Sequence, residues 1–337
     1  MQDKRVTIDD VAAAVGVSRQ TVSRAINNLA GISSSTREKV LSAARQLGYR
    51  PSNIARGLAN ASQQTRTLGI VLPSVDNEFY AAVLHGIESQ TSKLGYQLFL
   101  CSSEEDPDLE FQKTQSLFSL WIDGLILCSS RMSDDQLQQI CDQVKPVVLI
   151  NRAYDHPHAG NVLIDDFKGT YQAVHHLLQK GHRKIGFILG LPFSRSGQLR
   201  RQGYLAAMQE AGAPVIQTWS IHSTAAIDSG YHTAKTLLKQ HPELTALVVY
   251  NDVRTAGVLR ACKEMNYNVP DQIAIISHDN IALSSLLIPS LSTVNIPKEE
   301  LGQQAIKLMM SMLEEPEHPP TPIQLTPQLI LRESCPE

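Results

Sequence analysis

The sequence predicts two architectures in one chain: an all-α head of short helices, then an α/β body of two doubly wound parallel-sheet lobes. Three observations predict this. Up to about residue 60, apolar residues recur at helical spacing with no strand-like run. From Thr67 onward, short apolar runs alternate with amphipathic stretches. Charge is also divided: residues 1–60 hold nine Lys or Arg against four acids, net +5, while the remainder holds 21 against 29, net −8. A basic head on an acidic body suggests that only the head meets a polyanion.

At 337 residues, two or three folding units are expected. No apolar run is long enough to span a bilayer, and the start "MQDKRVTIDD" has no apolar stretch behind its basic residues, so a cytoplasmic location without a secretory signal is expected. Cys101, Cys128, Cys141, Cys262 and Cys335 form no C-x-x-C pair, which fits reduced thiols. His175 and His176 are adjacent and so face different ways on a helix, and neither they nor His182 has a Cys or carboxylate at ligand spacing. No metal site is expected.

In the head, Thr7 precedes "IDDVAAAVGV" as an N-cap, with Asp10 an acid in the first turn. Ile8, Val11, Ala12 and Val15 share a face, and Gly16 ends the helix. Ser18 caps a second helix after a Gly-Val turn, with Val22, Ala25 and Ile26 inward and Arg19, Gln20, Ser23, Arg24 and Asn27 outward. A third helix begins near Ser34 or Ser35 and is expected to bury Val40, Leu41, Ala44 and Leu47. Two short helices joined by a tight turn and braced by a third make a helix-turn-helix unit. A helix lying in the DNA major groove needs hydrogen-bonding side chains outward. Arg can grip guanine through two bonds, Gln can do likewise with adenine, and Ser and Thr hydroxyls reach phosphate oxygens.

After Pro51, the eight residues Ser52–Ala59 read as a short helix followed by a polar linker. The stretches "TIDDVAAAVGVSRQTVSRAINN", "ISSSTREKVLSAARQLGYRPS" and "ARGLA" resemble the DNA-binding region of the lactose/galactose repressor family. The resemblance implies a hinge helix that forms on the operator and wedges a leucine, here Leu58, into the minor groove. Eight residues are too few for a stable isolated helix, which agrees with folding on DNA. The candidate DNA contacts are Thr7, Ser18, Arg19, Gln20, Thr21, Ser23, Arg24, Asn27, Tyr49 and Leu58.

In the body, "TLGIVLP", "QLFLCS", "DGLILCS" and "PVVLIN" read as strands between helices, and a second series begins near Asn161 and runs to "QIAIISHDN". Buried parallel strands between amphipathic helices make doubly wound sheets. Ligands of such sheets sit beyond the carboxyl ends of the strands, here Ser74–Tyr80, Ser102–Ser103, Ser129–Arg131, Asn151–Arg152, Gly190–Arg200, Asn251–Asp252 and Ser277–Asn280. The family resemblance covers nearly the whole chain and implies a periplasmic-binding-protein-like body with three crossings between lobes, near residues 160, 294 and 323. The domains expected are 1–50 for the head, 51–66 for hinge and linker, and 67–337 for the body. Within the body, lobe 1 is about 67–160 and 295–322, and lobe 2 about 161–294 and 323–333. By the same resemblance, Phe79, Tyr80, Asn151, Arg200, Asn251 and Asp279 fall at effector-binding positions. His278 and Asn280 depart from the family's usual aromatic and acid, and "WSIHSTAAIDSGY" lacks an aromatic often found there.

No G-x-G-x-x-G, G-x-x-x-x-G-K-[ST] or G-x-S-x-G occurs, so neither a cofactor nor catalysis is expected. A sugar-binding transport protein would share the body but have no use for the head, and an architectural DNA binder would have no use for a cleft. The expectation is an effector-controlled transcription regulator, most simply a repressor, binding a palindromic operator. Its effector would be a sugar or sugar derivative, with a nucleoside acting as corepressor as the alternative. Palindromic half-sites match a twofold dimer, and the chain stops at Glu337 without a heptad tail, so a homodimer is expected rather than a tetramer.

Overall fold

The computed structural model describes residues 6–26, 28–49, 65–144, 146–224 and 226–337. Asn27, Leu58 and the hinge stretch around it lie outside them. The chain divides into two compact units, Met1–Thr65 and Arg66–Glu337.

The head has helices α1 (Ile8–Val15), α2 (Arg19–Ile26) and α3 (Ser34–Gln46). Thr7 and Asp10 close a reciprocal capping box on α1, and Gly16 at φ 69° ends it in the left-handed conformation that glycine adopts without strain. Ser18 caps α2 and Ser33 caps α3 through their side-chain oxygens. Val11, Ala12, Val22, Ala25, Val40 and Ala44 form the core. Leu41 and Leu47 do not join it: they are 37% and 40% exposed, because Leu41 lies about 100° further round from Val40 and Leu47 is the C-cap beyond the last turn of α3.

In the body, β1 (Thr67–Leu72), β2 (Gln97–Ser102), β3 (Gly124–Cys128), β4 (Val147–Ile150), β5 (Ala159–Ile164) and β11 (Ile323–Leu325) form one sheet, in the order β11-β5-β4-β3-β1-β2. Every pairing in it is parallel. The second sheet runs β12-β10-β9-β8-β6-β7, from β6 (Ile185–Leu189), β7 (Ser220–His222), β8 (Ala246–Val249), β9 (Ala274–Asp279), β10 (Ser292–Asn295) and β12 (Gln328–Ile330). Only β12 pairs antiparallel there.

Alternation along the strands sends residues to both faces. Ile126, Val148 and Ile150 meet α4 (Glu78–Leu94) and α12 (Lys298–Glu314) on one face of the first sheet. Leu125, Leu127, Val147 and Leu149 meet α5 (Pro107–Phe118) and α6 (Asp134–Gln143) on the other. The second sheet is likewise enclosed, by α7 (Asp166–Gln179) and α8 (Arg195–Glu210) on one face and by α9 (Ile227–Gln240) and α10 (Asp252–Glu264) on the other. Helices α4 and α12 touch backbone to backbone: a Cβ on Gly86 would stand 2.1 Å from the Glu299 carbonyl oxygen.

Helix α12 lies in the first lobe, where its Leu301, Ala305, Leu308, Met309 and Met312 fill the core. One feature differs from the sequence expectation: the crossings lie a few residues downstream of 160, 294 and 323. Strand β5 pairs with β4, from Val147↔Ala159 to Ile150↔Val162, and β11 pairs with β5, so both belong to the first lobe. Strand order marks where a series starts, but only pairing decides which sheet a strand joins. Among the described residues, no helix is long and apolar enough to cross a membrane.

Candidate functional site

On the head, Thr21 N–H donates to Ser18 Oγ at 3.1 Å and the two hydroxyls lie 2.9 Å apart, so both are occupied in starting α2. Arg19, Gln20 and Arg24 are exposed. The contact of Arg19 with Asp9 at 3.9 Å joins two largely exposed groups and holds neither firmly. Thr7 is tied into the α1 cap at 2.7 Å from Asp10, Ser23 is half-buried, and Tyr49 packs half-buried on the core. Arg37, by contrast, donates to Asn28 Oδ1 at 2.5 Å and to the Leu29 carbonyl at 2.7 Å, bracing the turn between α2 and α3. Arg19, Gln20 and Arg24 thus present donors on the outer face of α2, as reading base edges requires.

In the body, the carboxyl ends of the two sheets face each other across one cleft. The first lobe contributes Asn77, Phe79 and Tyr80 at the start of α4, Glu105 after β2, Ser129 and Arg131 after β3, and Asn151 after β4. The second contributes Leu191, Ser196, Arg200, Tyr250, Asn251, Arg254 and Asp279. All six effector candidates named from the sequence therefore line one cleft. Glu105, Ser129, Asn151 and Asp279 hold φ values of 63°, 48°, 56° and 102°. Such left-handed backbone is costly for these residues and concentrates where strands turn to present side chains.

Each lining residue has a local cause. Asn77 caps α4 by accepting from Phe79 N–H at 3.0 Å, which sets Phe79 and Tyr80 at the helix start with their rings edge to face at 5.2 Å. Asn251 caps α10 the same way, accepting from Arg254 N–H at 3.2 Å. Arg200 Nε donates to Asp166 Oδ1 at 2.7 Å, its Nη1 donates to the Tyr250 carbonyl, and its Nη2 lies 3.7 Å from Asp279. Arg131 Nε donates to Glu105 Oε2 at 2.7 Å. The Tyr250 ring lies 4.6 Å from the guanidinium carbons of both Arg200 and Arg254, and its hydroxyl meets Ser196 at 2.7 Å.

Burial sets the protonation of the site. It pushes the Tyr80 hydroxyl far above its ordinary value, so Tyr80 is a neutral phenol. His278, buried beneath Arg200, is held well below its usual value by burial and then by that guanidinium. It is therefore neutral, its Nδ1–H donating to the Val249 carbonyl and its Nε2 accepting from Thr170. Burial raises Asp279, with Arg200 and Lys298 opposing. Asp252 is pushed up to about 7, by burial and then by Asp279.

Glu105, Arg131, Leu191, Ser196, Tyr250 and Arg254 line the cleft without having been named as effector contacts from the sequence. Arg131, Leu191 and Ser196 lie within the strand-end stretches read there. Arg254 stands one helical turn after Asn251 in "YNDVRTAG", so the cap and the arginine share a side of α10.

A basic helix-turn-helix unit joined to a two-lobed body with a polar interlobe cleft defines the class of ligand-responsive DNA-binding regulators. Residues 7–52 match the model of bacterial regulatory proteins of the lacI family, and residues 174–335 match the periplasmic binding protein-like domain. The chain is 33% identical to the HTH-type transcriptional repressor PurR of Haemophilus influenzae (strain PittEE), over 97% of this chain and 98% of that protein. It is 31% identical to catabolite control protein A of Priestia megaterium, over 98% and 99%. Among solved structures, the lac repressor dimer bound to operator and the anti-inducer ONPF aligns with TM-score 0.86 and 25% identity, covering 99% of this chain and 100% of that one. The transcriptional regulator CelR in complex with cellobiose aligns with TM-score 0.74 and 29% identity, covering 98% and 100%. The chain belongs to the lacI family of bacterial regulatory proteins and is a DNA-binding transcriptional regulator.

Proposed function

We propose that this chain is a cytoplasmic, non-enzymatic repressor. It binds a palindromic operator as a homodimer, and a small metabolite in the interlobe cleft sets its operator affinity. One observation carries this reading: the cleft takes Phe79, Tyr80, Arg131 and Asn151 from one lobe and Arg200, Asn251, Arg254 and Asp279 from the other. A ligand touching both sets binds with an energy that depends on the lobe angle, which is the condition for shifting a two-state equilibrium. In this reading residues 1–50 read the operator, 51–66 form a hinge with Leu58 as its wedge, and 67–337 bind effector and partner. The names of relatives support it, since they include repressors, an operator complex and a cellobiose complex. The exposed apolar residues Leu286 and Ile288, 75% and 92% accessible, support a partner surface on the body.

The test is an operator selected from random DNA, followed by gel shifts across a metabolite panel and sedimentation of the free protein. A dimer whose affinity for that operator changes with one class of metabolite is the expected outcome. Operator affinity indifferent to every metabolite would remove the effector, and a monomer on single half-sites would remove the dimer.

A further inference from the structure

The cleft holds three guanidinium groups that the protein itself satisfies to different degrees. Arg131 is ion-paired with Glu105 at 2.7 Å. Arg200 has Asp166 at 2.7 Å, the Tyr250 carbonyl, and Asp279 at 3.7 Å. Arg254 is only 2% exposed, yet among the described residues its single acceptor is the Ser223 carbonyl, 3.2 Å from Nη2. Among the same residues its Nε and Nη1 are buried without a hydrogen-bond partner, and no carboxylate lies within ion-pair distance of it.

A buried charge without a counter-charge is among the most costly arrangements a protein can hold. The Tyr250 ring at 4.6 Å offsets part of that cost but supplies no acceptor for the free N–H groups. Had Arg254 served only to fill space between Tyr250 and the Ser223 loop, an apolar side chain would do so without the charge. The remaining lining suits a compact hydroxylated molecule: Asp279, Glu105, Asn151 and Asn251 for hydroxyls, and Phe79 for the face of a ring. Glu105 balances Arg131 and Asp166 balances Arg200, which leaves Arg254 as the cleft guanidinium with no carboxylate at ion-pair distance among the described residues.

We propose that Arg254 is an anion-recognising residue, and that the cleft's ligand is a sugar-sized polyol carrying a carboxylate or phosphate that docks on its free Nε and Nη1. This rests on the effector-gated reading above and narrows it to one ligand class. A guanidinium suits both anions, since its several N–H donors can engage more than one oxygen of either group.

The experiment compares the full chain with Arg254→Met and Arg254→Lys by thermal shift and titration calorimetry. The probes are inorganic phosphate, with potassium chloride at matched ionic strength as control, and matched sets of neutral sugars, sugar acids and sugar phosphates. Phosphate should raise the melting temperature of wild type above the chloride control, and should not do so for Arg254→Met. Without added anion, Arg254→Met should melt at or above the wild-type temperature, because it removes an uncompensated buried charge; a merely structural arginine would lower it. Anionic sugars that bind wild type should bind Arg254→Met roughly tenfold to a hundredfold more weakly, with Arg254→Lys in between, while neutral members are unaffected. Equal stabilisation of wild type and Arg254→Met by phosphate would overturn the assignment. So would a neutral sugar that binds wild type tightly and better than its acidic and phosphorylated counterparts; that result leaves effector gating intact. No response to any member of the panel, together with operator affinity that never varies, would overturn the effector reading itself.

Discussion

Arg200 donates through Nε to Asp166 Oδ1 at 2.7 Å, with both side chains almost wholly buried. The bond ties α8 to the first turn of α7, and a second donation from Arg200 to the Tyr250 carbonyl reaches the end of β8. Burial alone would depress the basicity of this guanidinium, but Asp166, Tyr250 and Asp279 more than offset it. The residue that faces the cleft is therefore also a strut of the second lobe.

Replacing Arg200 should thus cost stability as well as response. Arg200→Ala leaves Asp166 buried and unpaired, and should destabilise the body by about 3–5 kcal/mol in urea denaturation. A paired change, Arg200→Met with Asp166→Leu, should recover most of that loss without restoring effector response. A single mutant within about 0.5 kcal/mol of wild type would mean that the pair contributes little net energy.

On the head, Arg19 and Gln20 are exposed while Ser18 is committed to the α2 cap. Arg19→Ala and Gln20→Ala should each cost about 1–3 kcal/mol of operator binding and relax one base position. Head stability should stay near wild type. Ser18→Ala should instead lower head stability by about 1 kcal/mol through the lost cap. Selected operators with unchanged sequence for both Arg19→Ala and Gln20→Ala would falsify the assignment of base contacts to this face.

The body's stability should carry a pH dependence from Asp252. Burial, then the neighbouring Asp279 carboxylate, raises it to about 7, against an unfolded value of about 3.9. The folded state therefore binds the extra proton. The contribution is fully present below the unfolded value and is lost as pH rises through the folded one. His278 has the opposite sign: its contribution is present above the unfolded value and is lost as pH falls through its depressed folded value. Urea titrations from about pH 5 to about pH 8 should show Asp252→Asn losing less stability than wild type over that interval. Parallel curves would mean that Asp252 is ionised throughout.

In the first lobe, Gly86→Ala places a Cβ 2.1 Å from the Glu299 carbonyl oxygen, with backbone on both sides of the contact. Helices α4 and α12 must separate to admit it, loosening the core that Ile87, Leu301 and Ala305 share. A loss of about 1–3 kcal/mol or more is expected, read as a lower melting temperature of the body. An unchanged melting temperature would show that the two helices can part at little cost.

Local physics made much of this protein legible from its residues. The Thr7–Asp10 box, the Gly16 stop and the Ser18 cap depend on neighbours three or four positions away, so they can be read without knowing the fold. The strands announced themselves because parallel strands buried on both faces are continuous apolar runs, as in "TLGIVL" and "ALVV". The strand ends then pointed to the cleft, and Phe79, Tyr80, Asn151, Arg200, Asn251 and Asp279, which the family resemblance picked out among them, do meet there.

What only the tertiary structure decided are quantities set by residues distant in sequence. Pairing placed β5 and β11 in the first sheet, because a strand's partner is chosen by packing across the whole lobe. Leu41 lies exposed because Val40 and Ala44 already fill the head's core from a neighbouring face of the same helix. The commitment of Arg200 to Asp166, 34 positions away, and the lack of any such partner for Arg254 among the described residues depend on which carboxylates the fold brings within reach. By itself the sequence determined where the head, the strands and the strand ends lie, since these follow from short-range spacing and capping. Which of the three cleft arginines stays unpaired followed from tertiary packing alone, because an ion pair forms at a few ångströms regardless of distance along the chain.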